Sequence, residues 1–331
     1  MPPVRRQELI EALLEALDSS GNPSVVVPAR RSNPVRLIVS LSEDSVDVWA
    51  YIWNLTHGGR PSLPDEYRIQ MTGVMSPLQM NPNGVTVLLG YKADLNAFAG
   101  FDVQKHRNFT QGSPSVQIDI NALYHADANG LGFDRKGNDE IAVGIRPDRL
   151  AFYIQKASEL HQFAGASIDE VTLLQQAADN ERIAGSAISL LPVERQKILR
   201  TTLVNARSAT FRDIVLTAYG SKCAVTRVQL NLLDASHILP VNAPGSSDDV
   251  KNGICLSPTY HRAFDAGLIY LDESFVMHLN PDKIEHLRGK GLHGGLVTFR
   301  RPLERPISMP PDRHQRPSPT FIRKANHLRQ I

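Results

Sequence analysis

A change of hydrophobic period near residue 165 constrains this chain more than any other feature. Between residues 35 and 146 the apolar residues come in short segments: VRLIVSL, VDVWAYIW, EYRIQMTG, GVTVLLGY, VQIDI and EIAVGIR. They are rich in β-branched and aromatic residues, and Gly, Pro, Asn and Asp punctuate them, as strands and turns require. From residue 167 the spacing is helical. SIDEVTLLQQAADNERIA opens with Ser167 as N-cap and Glu170 three residues on, a capping-box pattern. LPVERQKILRTTLVNARSATFRDIVLTAYG follows, with Ile198, Leu199 and Leu203, then Phe211, Ile214, Val215 and Ala218 at helical spacing. Further helices are expected at QELIEALLEAL (7–17), ended by Gly21, and at DRLAFYIQKASELHQFA (148–164). The pattern predicts an α+β protein. Its N-terminal domain, 1–165, is β-rich and mainly antiparallel, a helical linker covers 166–194, and a second domain fills 195–331.

The length of 331 residues suits two domains, and 42% hydrophobic with 21% charged residues excludes global disorder. The net charge of +2 hides an asymmetry. Residues 281–331 hold eleven Lys/Arg against four Asp/Glu, and the rest of the chain holds 25 against 30. The basic tail suggests an anion-facing end, and a merely solvated surface explains it equally well. Only Cys223 and Cys255 occur, so a four-cysteine zinc ribbon and a disulfide scaffold are excluded, and both are expected as small buried core residues. MPPVRRQELIEALLEAL carries charges inside its apolar run, unlike a signal peptide, and no window reaches 18 uncharged apolar residues. A cytoplasmic protein with no membrane contact is expected.

The chemistry concentrates between Cys223 and Glu273, which offers Asp234, His237, Asn252, His261 and Asp265. His261 and Asp265 are four apart in TYHRAFDAG, so on a helix an imidazole and a carboxylate share one face and can grip one ion. Asp234 and His237 lie in LLDASHILP, read as a strand ending at Pro240. Alternation sends them to opposite faces, so one can serve a metal while the other handles a proton.

A strand with Asp and His, a loop, Asn252, a second short strand GICLS and a helix bearing His261 form a β-β-α arrangement. This stretch resembles the HNH, or ββα-metal, nuclease motif in the variant of predicted restriction endonucleases. The matches are DASHILP, NGICLSPTYHRAFDAG and the lead-in FRDIVLTAYGSKCAVT. VWAYIWNLTHGGRPSLPDEYRIQMTG and FAGFDVQKHRNF also look like the N-terminal half of some such proteins. The sequence departs from the family twice. CAVT and CLSPT keep one Cys of each metal-binding pair, so no structural zinc is expected. The residue before the first catalytic His, a metal ligand in many members, is Ser236, and its role is expected to pass to Asp234.

The resemblance implies a metal-dependent DNA endonuclease acting in restriction or related defence, leaving 5′-phosphate and 3′-hydroxyl ends. His237 would activate water, and one divalent ion on His261 and Asp265, with Asp234, would stabilise the phosphodiester transition state. Mg²⁺ is the expected ion, and a mixed N/O site also suits Mn²⁺ or another transition metal. Asn252, the third catalytic residue, would pin the loop that orients His237. Arg262 would touch a neighbouring phosphate. Cutting both strands of duplex DNA favours a homodimer.

The N-terminal half is read as a DNA or modified-base recognition domain. Trp49, Tyr51 and Trp53 share one strand face, where core packing is expected ahead of a pocket for a flipped base. Lys105, His106 and Arg107 lie on an expected loop between Phe101 and Phe109, and Lys105 and Arg107 suit DNA backbone contact. His278, His286 and His293 read as surface histidines. Two alternatives stay open: an effector nuclease activated by a nucleotide second messenger, and a catalytically degenerate DNA-binding protein, which Ser236 favours.

Overall fold

The computed structural model describes residues 3–27, 32–41, 44–110, 112 and 114–331. The fold is α+β, and the chain divides into two compact units, Met1–Ala206 and Arg207–Ile331.

The first unit begins with α1 (Arg6–Ser19), which buries Leu9, Ala12, Leu13, Ala16 and Leu17 along one helical stripe. Strands β1 (Ser24–Val26), β2 (Val35–Leu41) and β3 (Asp44–Asn54) follow, then β4 (Thr56–His57), β5 (Glu66–Gln70), β6 (Val85–Lys92) and β7 (Ala97–Phe101). The short helix α2 (Val103–His106), β8 (Ser115–Asp119), α3 (Ile120–Asn129), β9 (Leu131–Arg135), β10 (Ile141–Ile145) and α4 (Leu150–His161) complete the mixed part. Seven strands form one sheet in the order β1-β2-β3-β6-β7-β10-β9, and β4-β5-β8 form a second. Every pairing is antiparallel except β3 with β6. The connection between those two strands passes through β4 and β5, which gives a parallel pair the long crossover it needs.

Strand β3 is covered on both faces. Val48, Ala50 and Ile52 join one apolar core with α1 and α4, and Tyr51 joins another with Ile69, Ile118 and Leu123. The aromatic row of this strand is packing material: Tyr51 stacks on Trp53 at a centroid distance of 6.2 Å, and its hydroxyl donates to Gln79 O. Trp49 lies under the Arg36 guanidinium at 4.1 Å.

Two local readings change. Residue 120 starts α3 instead of ending a strand, because Asp119 turns its carboxylate to the Asn121 N–H at 2.8 Å as an N-cap. The stretch at 103–106, expected as a loop, is the helix α2, capped by Asp102 on Gln104 N.

Helices α5 (Ile168–Ala178), α6 (Gly185–Ser189) and α7 (Val193–Ala218) follow. Ser167 and Glu170 do form a capping box at the start of α5. Residues 166–194, read as a linker, belong to the first unit, because Leu174 and Ala178 bury their apolar faces in its main core. The division between the units falls inside α7, after Ala206.

The second unit contains the remainder of α7, then β11 (Asp234–His237), β12 (Gly253–Leu256), α8 (Pro258–Asp265), β13 (Ile269–Leu271) and β14 (Val276–Leu279). Helices α9 (Pro281–Gly289) and α10 (Leu296–Arg300), strand β15 (Arg305–Pro306) and α11 (Pro319–Arg329) end the chain. Its core draws on Phe211, Val215, Ile254, Leu256, Phe264 and Ile322, so α7, β12, α8 and α11 share one apolar centre. Among the described residues no helix is long and apolar enough to cross a membrane.

Candidate active site of the second unit

β11 and β12 pair antiparallel, with Asp234 opposite Leu256 and His237 opposite Gly253. α8 follows after one residue, Ser257, with Pro258 at its first position, where a missing N–H costs nothing. Asp234 and His237 are three residues apart on β11, which places their Cα atoms about 10 Å apart along the strand. Asp234 turns to α8, where its Oδ2 lies 3.1 Å from His261 Nδ1. His237 turns to α7, where its ring stacks on Phe211 with centroids 3.7 Å apart and an interplanar angle of 10°. Gly253 makes this approach of α7 feasible: a Cβ there would come 2.2 Å from Val215 Cγ2 and 3.2 Å from the Phe211 ring.

His237 Nε2 lies 3.0 Å from Asp248 Oδ1, and Asp248 Oδ2 is ion-paired with Arg207 Nε. Burial acts to raise the Asp248 pKa, but hydrogen bonds from Arg207 and His237 outweigh it and hold the carboxyl below the usual carboxylate range. An ionised Asp248 accepts a hydrogen bond, so in neutral His237 the proton sits on Nε2 and Nδ1 keeps its lone pair.

Asn252 is fully buried between the strands. Its Oδ1 accepts from Leu239 N at 2.8 Å, and its Nδ2 donates to Leu239 O, Ser246 Oγ and Ser247 O at 3.1, 3.2 and 2.9 Å. One side chain thereby ties the residue two after His237 to the segment just before Asp248.

His261 stands between two carboxylates. Asp234 holds Nδ1, and Asp265, one turn further along α8, lies 3.2 Å from Nε2. Hydrogen bonds donated by the imidazolium to Asp234 and then to Asp265 push its pKa up to about 9. The two nitrogens of an imidazole point to opposite sides of the ring, so a single cation meets one carboxylate there and leaves the other to hold the second nitrogen. Among the described residues no three His, Cys, Asp or Glu side chains converge on one point. The donor chemistry nonetheless fits a divalent cation: a negative pair of hard carboxylates beside one imidazole. Ser236 is buried beside Asp234's position, on the same strand face, and its hydroxyl has no hydrogen-bond partner among the described residues.

Cys223 and Cys255 are buried free thiols, and the Thr226 N–H donates to Cys223 Sγ at 3.4 Å. Arg262 is exposed on α8. Lys105 and Arg107 lie in the first unit, where the Lys105 ammonium donates to the carbonyls of Asn138 and Asp139 and Arg107 Nε is buried. His278, read as a surface histidine, sits between Asp272 and Glu304, with ring nitrogens 2.9 and 2.6 Å from their oxygens.

The structure therefore brings His261 together with Asp234 and Asp265, and places Asn252 where it ties the segment after His237 to the loop that carries Asp248. It adds Asp248, Arg207 and Phe211, which sequence reading missed. The Asp248-Asp249 doublet just ahead of Asn252 was a visible hint, whereas nothing local marks Arg207 as the partner of a residue 41 positions on.

Two strands and a helix thus carry a histidine held by Asp248 on the first strand and a carboxylate-flanked histidine on the helix. Residues 223–272 match the HNH endonuclease family model, and residues 46–154 match that of methylase-associated X1. The second unit thus carries an HNH endonuclease domain, and the protein is a nuclease. Among solved structures, it is similar to a modification-dependent TagI restriction endonuclease, with 12% identity over 84% of this chain and 80% of that chain and a TM-score of 0.28. No curated protein sequence matches the chain.

Proposed function

We propose that the protein is a metal-dependent DNA endonuclease of a restriction or related defence system. The observation that supports this most is the pairing of a base and an ion-holding group on one ββα unit: His237 backed by Asp248, and His261 flanked by carboxylates. His237 takes a proton from the attacking water through Nδ1, the nitrogen not engaged by Asp248. Asp248 then stabilises the imidazolium, and Arg207 keeps Asp248 ionised and aimed. Phe211 fixes the plane of the ring from one side. Asn252 holds the loop that carries Asp248 in register with β11.

His261 and Asp265 would hold the divalent cation, Mg²⁺ or another ion suited to a mixed N/O site, with Asp234 orienting the ring from Nδ1. When bound, that ion supplies positive charge to the scissile phosphate and to the leaving 3′ oxygen. Arg262, exposed one residue after His261, touches a flanking phosphate. The first unit supplies sequence or base-modification specificity, a reading supported by its match to a methylase-associated family. One such site cuts one strand, so a homodimer or two sequential nicks completes a double-strand break.

Digestion of a panel of modified and unmodified DNAs with Mg²⁺ or Mn²⁺ tests substrate, ion and specificity together. Cutting of some DNAs and not others is expected. His237→Ala should abolish cutting and keep DNA binding, and cutting at the wild-type rate would remove the mechanism.

A further inference from the structure

The residues after 272 lie outside the segment that matches the HNH model, yet α11 packs directly onto it. Ile322 and Ala325 are buried in the second unit's core. Ser318 N donates to Lys251 O at 3.0 Å, beside Asn252, and Asn326 Nδ2 donates to Leu271 O at 2.9 Å. The helix is held along its length, so its last residue, Arg329, has a fixed position.

There Arg329 touches two residues that adjoin site residues in sequence. The Arg329 guanidinium lies 4.4 Å over the ring of Phe264, between His261 and Asp265 on α8. Its Nη1 is 3.4 Å from the carbonyl of Ile238, the residue after His237. Neighbouring arginines are already paired: Arg207 with Asp248 and Arg323 with Glu273. Arg329 is half-buried and has no ion pair among the described residues. Asp265 acts on it only as a charge at longer range. A cation taken partly out of water with no carboxylate in contact gains from an anion that completes it. A planar guanidinium with stacked face and free edge suits a phosphate, whose oxygens match its fork of donors.

We propose that Arg329, supplied by the C-terminal helix, is a catalytic residue that clamps the non-bridging oxygens of the scissile phosphodiester. The proposal rests on the reading of this site as a DNA nuclease. It assigns the C-terminal helix a part in the cleavage chemistry, beyond the general positive charge of the tail.

The test compares wild type, Arg329→Gln, Arg329→Lys and His237→Ala in single-turnover cleavage at saturating DNA. Arg329→Gln is expected to cut about 100-fold more slowly, as removal of one transition-state donor does. Arg329→Lys should recover part of the loss, and added guanidinium should raise the rate of Arg329→Gln at concentrations that leave wild type unchanged. A strap that only stabilises Phe264 would respond to neither and would lower the thermal midpoint instead. In the His237→Ala background, which binds without cutting, adding Arg329→Gln should reduce the slope of log K against log salt by about 0.9, one phosphate contact. Wild-type rates in Arg329→Gln together with an unchanged salt slope overturn the assignment of Arg329 alone. If His237→Ala cuts as fast as wild type, the reading of the site fails, whatever Arg329 does.

Discussion

His237 Nε2 and Asp248 Oδ1 are 3.0 Å apart, and this contact decides which nitrogen of the imidazole is left to act as a base. Removing the carboxylate frees the ring to adopt the other tautomer and to rotate against Phe211. Asp248→Asn should slow cutting about 10- to 100-fold, the usual cost of losing a carboxylate that orients a histidine. Divalent-ion affinity, read by calorimetry, should stay at the wild-type value because His261 is untouched. An ion affinity that falls as far as the rate would place Asp248 in the ion's site instead.

Asn252 predicts a stability effect as well as a kinetic one. Its four hydrogen bonds reach Leu239, Ser246 and Ser247 from a fully buried position. Asn252→Ala leaves buried backbone groups unpaired, at about 1–3 kcal/mol for each group that finds no water. Urea denaturation should show the second unit unfolding at lower denaturant with an unchanged m-value, and cutting should drop below that of Asp248→Asn. Asn252→Asp turns a buried carboxylate oxygen toward the Leu239 and Ser247 carbonyls, so it should destabilise at least as much as Asn252→Ala near neutral pH.

The carboxylates on His261 set a pH dependence. Its pKa is raised to about 9. For the metal-free protein, the stability from the charged imidazole is fully present below the unfolded value of about 6.5 and is lost as pH rises through 9. Thermal scans in chelator from pH 6 to 10 should therefore show the second unit weakening at the alkaline end, and His261→Gln should remove that slope. Because an ion must displace this proton, Mn²⁺ binding measured in two buffers of different ionisation enthalpy should release about one proton at pH 7. Release of none would mean that the cation sits elsewhere.

Gly253 tests the packing beneath His237. Alanine there puts a methyl group 2.2 Å from Val215 Cγ2, so the Val215 side chain or the elements that carry the two residues must shift. Gly253→Ala should cost about 1–3 kcal/mol by overpacking and should also slow cutting, since Phe211 carries the histidine ring. Pairing it with Val215→Ala should return part of both losses, and a double variant no better than the single would mean that the strain lies elsewhere.

Much of this site was written in local spacing. The i,i+4 pair His261 and Asp265 needs only a helix, and a helix has a fixed repeat. Asp234 and His237 leave β11 toward different helices because an odd spacing on a strand does so in any fold. The alternation of apolar segments marked most of the first unit's strands, and Ser167 with Glu170 marked the start of α5. Where local signals competed, the reading slipped: VQIDI continued as a strand through residue 120, although Asp119 caps a helix there.

Tertiary structure alone decided the rest. Arg207, Asp248 and His237 meet because α7, a loop and β11 pack around one core, and the 29 residues between Arg207 and His237 in sequence carry no period that encodes the contact. The same holds for Arg329, which reaches Ile238 from 91 residues away because Ile322 and Ala325 bury one face of α11. It also holds for the placement of Asp234 and Asp265 at opposite nitrogens of His261, which follows from where α8 lies on β11. Backbone periodicity fixes which side of an element a residue occupies, while the burial of apolar surface between elements selects the side chain it meets.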